Sequence, residues 1–238
     1  MNDESERLEA IARDSRYAAG VNTDSIRYSF RVFARYLRGV SILEMGAAEG
    51  VMTALLAGTG KSLTIVEGGG AFCAALTQRF PGARVTHSLF EEFDPEQKFD
   101  NIVLGHVLEH VEDPVTIVRC AGNWLAPGGR VLAAVPNSRS LHRQAAVLMG
   151  LLAREDALNE ADVHHGHRRV FDPASFRECF IAAGLAVEHF GGYWLKPLSN
   201  AQIEATWSPS MLSAFMQLGE KYPDVAAEIY VVAGRPSA

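Results

Sequence analysis

The sequence contains eight histidines, and five of them fall into two groups. His106 and His110 stand on either side of one glutamate, and the second group belongs to a polar stretch later in the chain. An imidazole changes its charge close to neutral pH, so each of these side chains is suited to remove a proton from a hydroxyl group. The candidate catalytic residues are therefore His106, His110, His165 and His167, and their spacing alone does not choose among them.

A turn of small residues follows a short apolar run at residues 42–50, which read Ile-Leu-Glu-Met-Gly-Ala-Ala-Glu-Gly. Gly46 and Ala48 lack bulk, so the backbone there can approach a ligand closely. In an open α/β sheet the ligand crevice lies at the carboxyl ends of the strands. The dinucleotide pattern G-x-G-x-x-G does not fit, because Ala48 and Val51 stand where it needs glycine. The turn alone would also suit a strand-to-helix connection that binds nothing.

An acidic residue, Glu67, ends the next apolar run about 20 residues after this turn. A carboxylate at that position can accept both hydroxyls of a ribose. A surface glutamate that caps the following helix is the simpler interpretation. The spacing nevertheless favours a nucleoside that lies across the two strand ends.

The elements that must position these residues alternate between short apolar runs and amphipathic stretches. This alternation predicts an α/β fold, a Rossmann-like sheet with helices on both faces. The predicted strands cover residues 40–45, 62–67, 84–87, 99–105, 130–136, 186–191 and 229–233.

Segments outside this alternation predict a helical cap. Residues 4–18 and 24–38 have the pattern of two helices, and residues 140–152 and 195–222 are mostly helical insertions. We therefore expect an N-terminal helical cap at 1–38. The remaining chain, 39–238, then forms the main domain, with lid insertions at about 138–170 and 192–226.

Composition excludes several classes of protein. The chain has 238 residues, 48% hydrophobic and 21% charged, which is typical of a folded globular protein. Its net charge of −6 and lack of a basic block argue against a nucleic acid partner. No run approaches the roughly 18 apolar residues of a membrane span, the N-terminus lacks a signal-peptide pattern, and three widely spaced cysteines suit reduced thiols. These features predict a cytoplasmic protein with no membrane partner.

A third motif, residues 99–111, reads Phe-Asp-Asn-Ile-Val-Leu-Gly-His-Val-Leu-Glu-His-Val and is followed by Asp113-Pro114. With the two strand-end motifs before it and Pro127-Gly128-Gly129 after it, the chain resembles the class I S-adenosylmethionine (SAM)-dependent methyltransferases. Within that family it is most similar to the branch of ubiquinone-biosynthesis O-methyltransferases and bacterial small-molecule methyltransferases. The resemblance implies a seven-stranded, mostly parallel sheet whose last strand is antiparallel.

The resemblance also implies a role for each motif in binding SAM, whose product is S-adenosylhomocysteine (SAH). Glu44 would organise the turn, Glu67 would hold the ribose, and the segment around Leu89 would flank the adenine. Leu89 stands where many members carry aspartate, and Ala48 replaces a family glycine. The implied cofactor-binding residues are Glu44, Gly46, Ala48, Gly50, Glu67, Gly68, Leu89, Phe90, Gly105 and His106.

The acceptor is expected to be a small molecule, with oxygen favoured over nitrogen as the methylated atom. Aromatic residues predict a lid over it, and an arginine could clamp an anionic group or pair with acids of its own insertion. The candidate substrate-binding residues are Tyr17, Tyr28, Arg168 and Tyr193. A homodimer through the N-terminal helices or residues 195–222 is a candidate assembly.

Two alternatives stay open at this stage. A non-catalytic SAM-binding protein would keep the same motifs, and another nucleotide-dependent Rossmann enzyme would use the same crevice. A metal site is a further alternative, because small-RNA 2′-O-methyltransferases bind magnesium through E-x-x-E-H. This chain has H-x-x-E-H, and His106 in place of glutamate disfavours a hard magnesium ion. We predict no metal.

Overall fold

The computed structural model describes residues 4, 7–9, 11 and 18–236. Seven strands form one sheet in the order β3-β2-β1-β4-β5-β7-β6, and only β7 runs antiparallel to its neighbours. This confirms the predicted Rossmann-like, mostly parallel sheet. The strands are β1 Ser41–Met45, β2 Ser62–Glu67, β3 Arg84–His87, β4 Phe99–Gly105, β5 Leu125–Pro136, β6 Ala186–Tyr193 and β7 Glu228–Gly234.

Helices connect the strands and cover the sheet. In the described part of the chain they are α1 Val21–Phe33, α2 Val51–Ala57, α3 Gly70–Arg79, α4 Pro114–Trp124, α5 Leu141–Leu148, α6 Glu160–His164, α7 Pro173–Ala182, α8 Asn200–Thr206 and α9 Pro209–Gly219, with a 3₁₀ turn at Pro223–Val225. Residues 4, 7–9 and 11 are also helical. None of the described helices combines the length and apolar character needed to cross a membrane.

Helix α1 ends earlier than the predicted boundary at residue 38. Asn101, fully buried in β4, accepts a hydrogen bond from the Arg38 backbone N–H at 2.8 Å and donates to the Arg38 carbonyl at 2.7 Å. These bonds hold residue 38 against the sheet, where a helix cannot continue. The proposed division into a cap at 1–38 and a main domain stays a prediction.

Two apolar clusters lie on opposite faces of the sheet, because successive side chains of a buried strand point to opposite sides. In β1, Leu43 packs into the cluster with α4 and α7, whereas Ile42 packs into the cluster with α1, α2 and α3. Both side chains are fully buried. The sheet is therefore a rigid support for the residues at its carboxyl edge.

The reversed direction of β7 brings its first residue to that edge. Glu228 pairs with Pro136 at the end of β5 and with Tyr193 at the end of β6. An acidic residue that begins the last strand thus lies beside the residues that follow the parallel strands.

Helix α9 is fastened to the end of β6 through its backbone. The N–H groups of Trp194 and Leu195 donate to the carbonyls of Met216 and Phe215 at 3.0 and 2.8 Å. Gly219 makes this approach possible, because a Cβ there would lie 2.3 Å from the Trp194 nitrogen.

We expect Gly219→Ala to lower the free energy of unfolding by at least about 2 kcal/mol, since an added methyl group must push α9 off the strand. Gly82→Ala is the matched control, because a Cβ at Gly82 would meet no atom within 4 Å. Urea unfolding of both variants measures the difference. Equal stability of the two variants would contradict this account of α9.

Candidate active site

A first cavity of about 640 Å³ opens at the carboxyl ends of β1, β2 and β4. This is the point where the strand order changes direction, and ligands of open α/β sheets bind there. Nine of the ten predicted cofactor residues line it: Glu44, Gly46, Ala48, Glu67, Gly68, Leu89, Phe90, Gly105 and His106.

The turn after β1 takes a conformation that only small residues adopt easily. Gly46 has φ +71°, and Ala48 has φ +44°. A Cβ on Gly46 would lie 2.9 Å from Val107 Cγ2, so a side chain there would disturb the cavity wall. Gly50 is different: it does not line the cavity, and its φ of +75° begins α2 where a Cβ would meet Leu76 and Phe80.

Glu67 supports this turn in addition to facing the cavity. One carboxylate oxygen accepts the Ala48 N–H at 3.0 Å, and the other accepts the Gly69 N–H at 2.9 Å. Each oxygen has a second lone pair, so the carboxylate can still accept hydroxyl groups of a ligand. The sequence indicated a ligand role for Glu67 but not this bracing of two backbone segments.

Glu44 is a buried acid at the base of the cavity. It is 2% exposed, and its Oε2 accepts no hydrogen bond from a described residue. Burial raises the pKa of this carboxyl to about 8. A cationic group of a ligand in the cavity would compensate the charge of Glu44 and remove this penalty.

The described N-terminal residues cover part of the first cavity. Glu4, Leu8 and Ile11 line it, and Glu4 accepts a hydrogen bond from Arg168 at 2.7 Å. Arg168 also donates to the His110 carbonyl at 2.9 Å. The predicted substrate-binding residue Arg168 therefore lines the cavity while it joins Glu4 to the loop after β4.

A second cavity of about 380 Å³ lies beside the first, where β5 ends and β7 begins. Residues of α1, α5, α6 and α8 line it together with Asn137 and Glu228. Ile26 and His106 line both cavities. His106 thus stands where two bound molecules would meet.

The backbone and the surroundings of His106 are tightly constrained. The residue has φ +60°, and its N–H donates to the Ala134 carbonyl at 2.9 Å. Its Nδ1 lies 3.5 Å from Glu109 Oε1 and 3.8 Å from Glu228 Oε2, and its Nε2 lies 3.4 Å from the Tyr193 hydroxyl. Burial disfavours the charged imidazole, but the carboxylates of Glu228 and Glu109 outweigh it and raise the pKa of His106.

The other three candidate bases have different surroundings. Burial lowers the pKa of His110 to about 4, and this residue lines the first cavity. His165 and His167 line the second cavity, where burial lowers the pKa of His165 and Asp162 Oδ1 lies 3.3 Å from His167 Nδ1. His106 is thus the one of the four that lines both cavities.

Two aromatic residues predicted to bind the substrate, Tyr28 and Tyr193, are described by the structure, and they do not form a lid over either cavity. Tyr193 is fully buried and reaches the site through its hydroxyl beside His106. Tyr28 stacks on Tyr193 with ring centroids 5.5 Å apart, donates its hydroxyl to Glu220 and does not line either cavity. Tyr17 lies outside the described residues.

Glu109, His110 and His167 have ligand atoms within 4.8 Å of one another. Two imidazoles and one carboxylate suit a transition metal better than magnesium. The buried Glu109 is also compensated without an ion: burial opposes its charge, but His106, His110 and His167 lower its pKa. The absence of a metal stays a prediction.

Comparison with known proteins decides the family. The Methyltransferase domain family matches residues 9–190. The chain belongs to this family. The methyltransferase is 28% identical over 172 residues to the ubiquinone biosynthesis O-methyltransferase of Aeromonas salmonicida, covering 69% of this chain and 70% of the relative. It is 27% identical over 208 residues to the protein of that name from Pseudomonas syringae pv. tomato, covering 82% and 87%.

Solved structures show the same fold. The N-methyltransferase NodS from Bradyrhizobium japonicum WM9, in complex with SAH, aligns with a TM-score of 0.63 at 16% identity and covers 98% of this chain and 97% of its own. The CcbJ methyltransferase from Streptomyces caelestis aligns with a TM-score of 0.66 at 14% identity and covers 97% and 96%. The protein is a SAM-dependent methyltransferase, and the first cavity has the small-residue turn and buried acids that suit this cofactor.

Several residues of the second cavity are not predicted from the sequence, and two of them matter for its charge. Glu228 and Lys196 line the second cavity, and both are buried. A signal for Glu228 existed: an acid that begins an antiparallel last strand must lie at the edge where the parallel strands end. No such signal pointed to Lys196.

We expect Glu44→Gln to change how stability depends on pH. The raised pKa means that folded Glu44 keeps a proton that the unfolded chain releases, so stability falls as pH rises from about 4.5 to about 8. The wild type should lose up to about 1.4 kcal/mol per pH unit relative to Glu44→Gln in this window. Urea unfolding at pH 5 and pH 8 measures it, with the exposed Glu96→Gln as control. A parallel pH dependence of wild type and Glu44→Gln would contradict the assignment.

We expect methyl transfer to be unchanged after dialysis against EDTA, since His106, whose Nδ1 lies 3.5 Å from Glu109 Oε1, already stabilises the charge of Glu109. Turnover and metal content are measured before and after dialysis. Activity that is lost with EDTA and restored by Mn²⁺ or Zn²⁺ would show instead that Glu109, His110 and His167 hold a required ion.

Proposed function

We propose that this methyltransferase transfers the methyl group to an oxygen of a small molecule in the second cavity, with His106 as the general base. The observation that carries the proposal is the position of His106, which lines both cavities between two carboxylates. The relatives named as O-methyltransferases support an oxygen acceptor. The cavity of about 380 Å³ has the size of a small-molecule site.

The first cavity is proposed to hold the cofactor. Glu67 would accept the ribose hydroxyls, Leu89 and Phe90 would flank the adenine, and Glu44 would lie toward the ammonium group of the methionine end. Gly46, Ala48, Gly68 and Gly105 leave room for the ligand along the strand ends. When bound, SAM supplies an electrophilic methyl group and leaves as SAH.

His106 is suited to the proton transfer. Two carboxylates on its Nδ1 side favour the proton at that atom, which leaves Nε2 as the basic nitrogen. The acceptor hydroxyl would replace the Tyr193 hydroxyl, 3.4 Å from Nε2, and Nε2 would take its proton while the oxygen bonds to the methyl carbon and the bond from that carbon to the sulfur of SAM breaks. A base in this position typically contributes about 10²–10⁴-fold to the rate.

A nitrogen acceptor is the second candidate, because several proteins of the same fold, NodS among them, are N-methyltransferases. A neutral amine needs no base, so methylation of amines would not depend on His106. This difference allows the two candidates to be distinguished.

We expect His106→Asn to lower turnover of hydroxyl acceptors at least about 100-fold, because the base is removed. Asparagine tolerates the positive φ of this position. SAH formation is measured with matched panels of phenols, catechols, aliphatic alcohols and amines, and SAH binding by calorimetry controls for folding. His189→Asn, which changes a histidine that lines neither cavity, should keep wild-type turnover.

The pH profile is a second readout. The raised pKa of His106 predicts that kcat/KM of the wild type rises with pH through a midpoint above 6.5. Glu228→Gln should move that midpoint to lower pH, because a carboxylate that raises the pKa is removed. Unchanged turnover in His106→Asn would overturn the assignment of the base, and methylation of amines alone would overturn the oxygen acceptor.

A further inference from the structure

Lys196 is a buried cation in the second cavity that interacts with Glu228 and Asp162 through their charge but forms no direct ion pair with either. The residue is 9% exposed, and its Nζ makes neither a hydrogen bond nor a salt bridge with any described residue. Its contact is with the ring of Trp194, whose centroid lies 4.8 Å away. A buried ammonium group without an acceptor is costly, so its position at a cavity wall points to a ligand.

The other basic residues of this cavity do not share that property. Arg143 is committed to Asp162 and to the carbonyls of Glu155 and Ala157. His142 stays neutral, because burial lowers its pKa to about 2. Burial lowers the pKa of Lys196 only to about 8, so this side chain still carries a charge at neutral pH. Of the two lysine and arginine side chains among the described residues of this cavity, Lys196 is the one that makes no hydrogen bond.

The cavity also contains hydrogen-bond acceptors that have no partner in the part of the chain that the structure describes. Glu228 Oε2 and His142 Nδ1 have no hydrogen-bond partner among the described residues. Glu228 interacts electrostatically with both His106 and Lys196, so it is close to both side chains in the cavity. A ligand that fits must bring one negative charge to Lys196 and a hydrogen-bond donor to the His106 end.

We propose that the acceptor is a small hydroxy acid whose carboxylate pairs with Lys196 while its hydroxyl group faces His106. This rests on the proposed function. A carboxylate is favoured over a phosphate dianion, because Lys196 brings a single positive charge and the neighbouring Glu228 opposes a second negative charge on the ligand.

Calorimetry with the SAH-loaded protein tests this with two matched probes, 3,4-dihydroxybenzoate and 3,4-dihydroxybenzamide. We expect the carboxylate to bind at least about tenfold more tightly than the amide, which is the effect of one charge-assisted hydrogen bond. In Lys196→Met the two affinities should become equal. Lys221→Met, at an exposed lysine, should keep the wild-type ratio.

Nuclear magnetic resonance gives a readout that does not depend on a variant. The chain has four lysines, so a protein labelled with [¹³C]lysine shows four sets of side-chain signals, from Lys61, Lys98, Lys196 and Lys221. We expect the Lys196 signal, identified by its absence in Lys196→Met, to shift with the benzoate and not with the benzamide. SAH binding by Lys196→Met confirms that this variant is folded.

The outcomes separate the two proposals. Normal SAH binding with equal affinities for both probes, with no binding of the benzoate, or with an unchanged ratio in Lys196→Met overturns the carboxylate assignment alone. Failure of the wild type to bind SAH would overturn the proposed function as well.

Discussion

The site depends on two buried carboxylates, Glu109 and Glu228, that both lie beside the largely buried His106 at the carboxyl edge of the sheet. A buried charge that loses its partner costs several kcal/mol, so these groups are stable only together. They come from the end of β4, the loop that follows it and the start of β7. The charge state of the His106 imidazole therefore depends on the relative positions of three separate chain segments.

The antiparallel strand makes this arrangement possible. If β7 ran parallel to β5, Glu228 would lie at the opposite edge of the sheet and His106 would face one carboxylate. Helix α9, fastened to the end of β6 through Gly219, holds the neighbouring Tyr193 and Trp194 in place. The same packing that stabilises the sheet edge therefore supports the hydroxyl beside His106 Nε2.

Features that are determined by residues close together in the sequence could be predicted. The bounds of β2, β3 and β4 agree with the prediction, and nine of the ten predicted cofactor residues line one cavity, because strand, turn and helix patterns are local. The sequence predicts a cofactor-binding role for Gly50, although this residue caps α2, because glycine has the same sequence signature in a helix cap as in a binding turn. Tyr28 was assigned to the acceptor because a buried aromatic and a binding aromatic have the same sequence pattern.

The second cavity could not be predicted in this way, since its parts are distant in the chain and meet only in the folded protein. Lys196 follows β6, Arg143 belongs to α5, and Glu228 begins β7, and no periodicity links them. What distinguishes Lys196 from Arg143 is the supply of acceptors: Arg143 has three, and Lys196 has none among the described residues. If the second cavity takes the acceptor as we propose, the substrate preference of this methyltransferase is better sought in its buried lysine than in its motifs. The motifs surround the first cavity, whereas Lys196 is a buried charge of the second cavity whose hydrogen bonds are left for a ligand to accept.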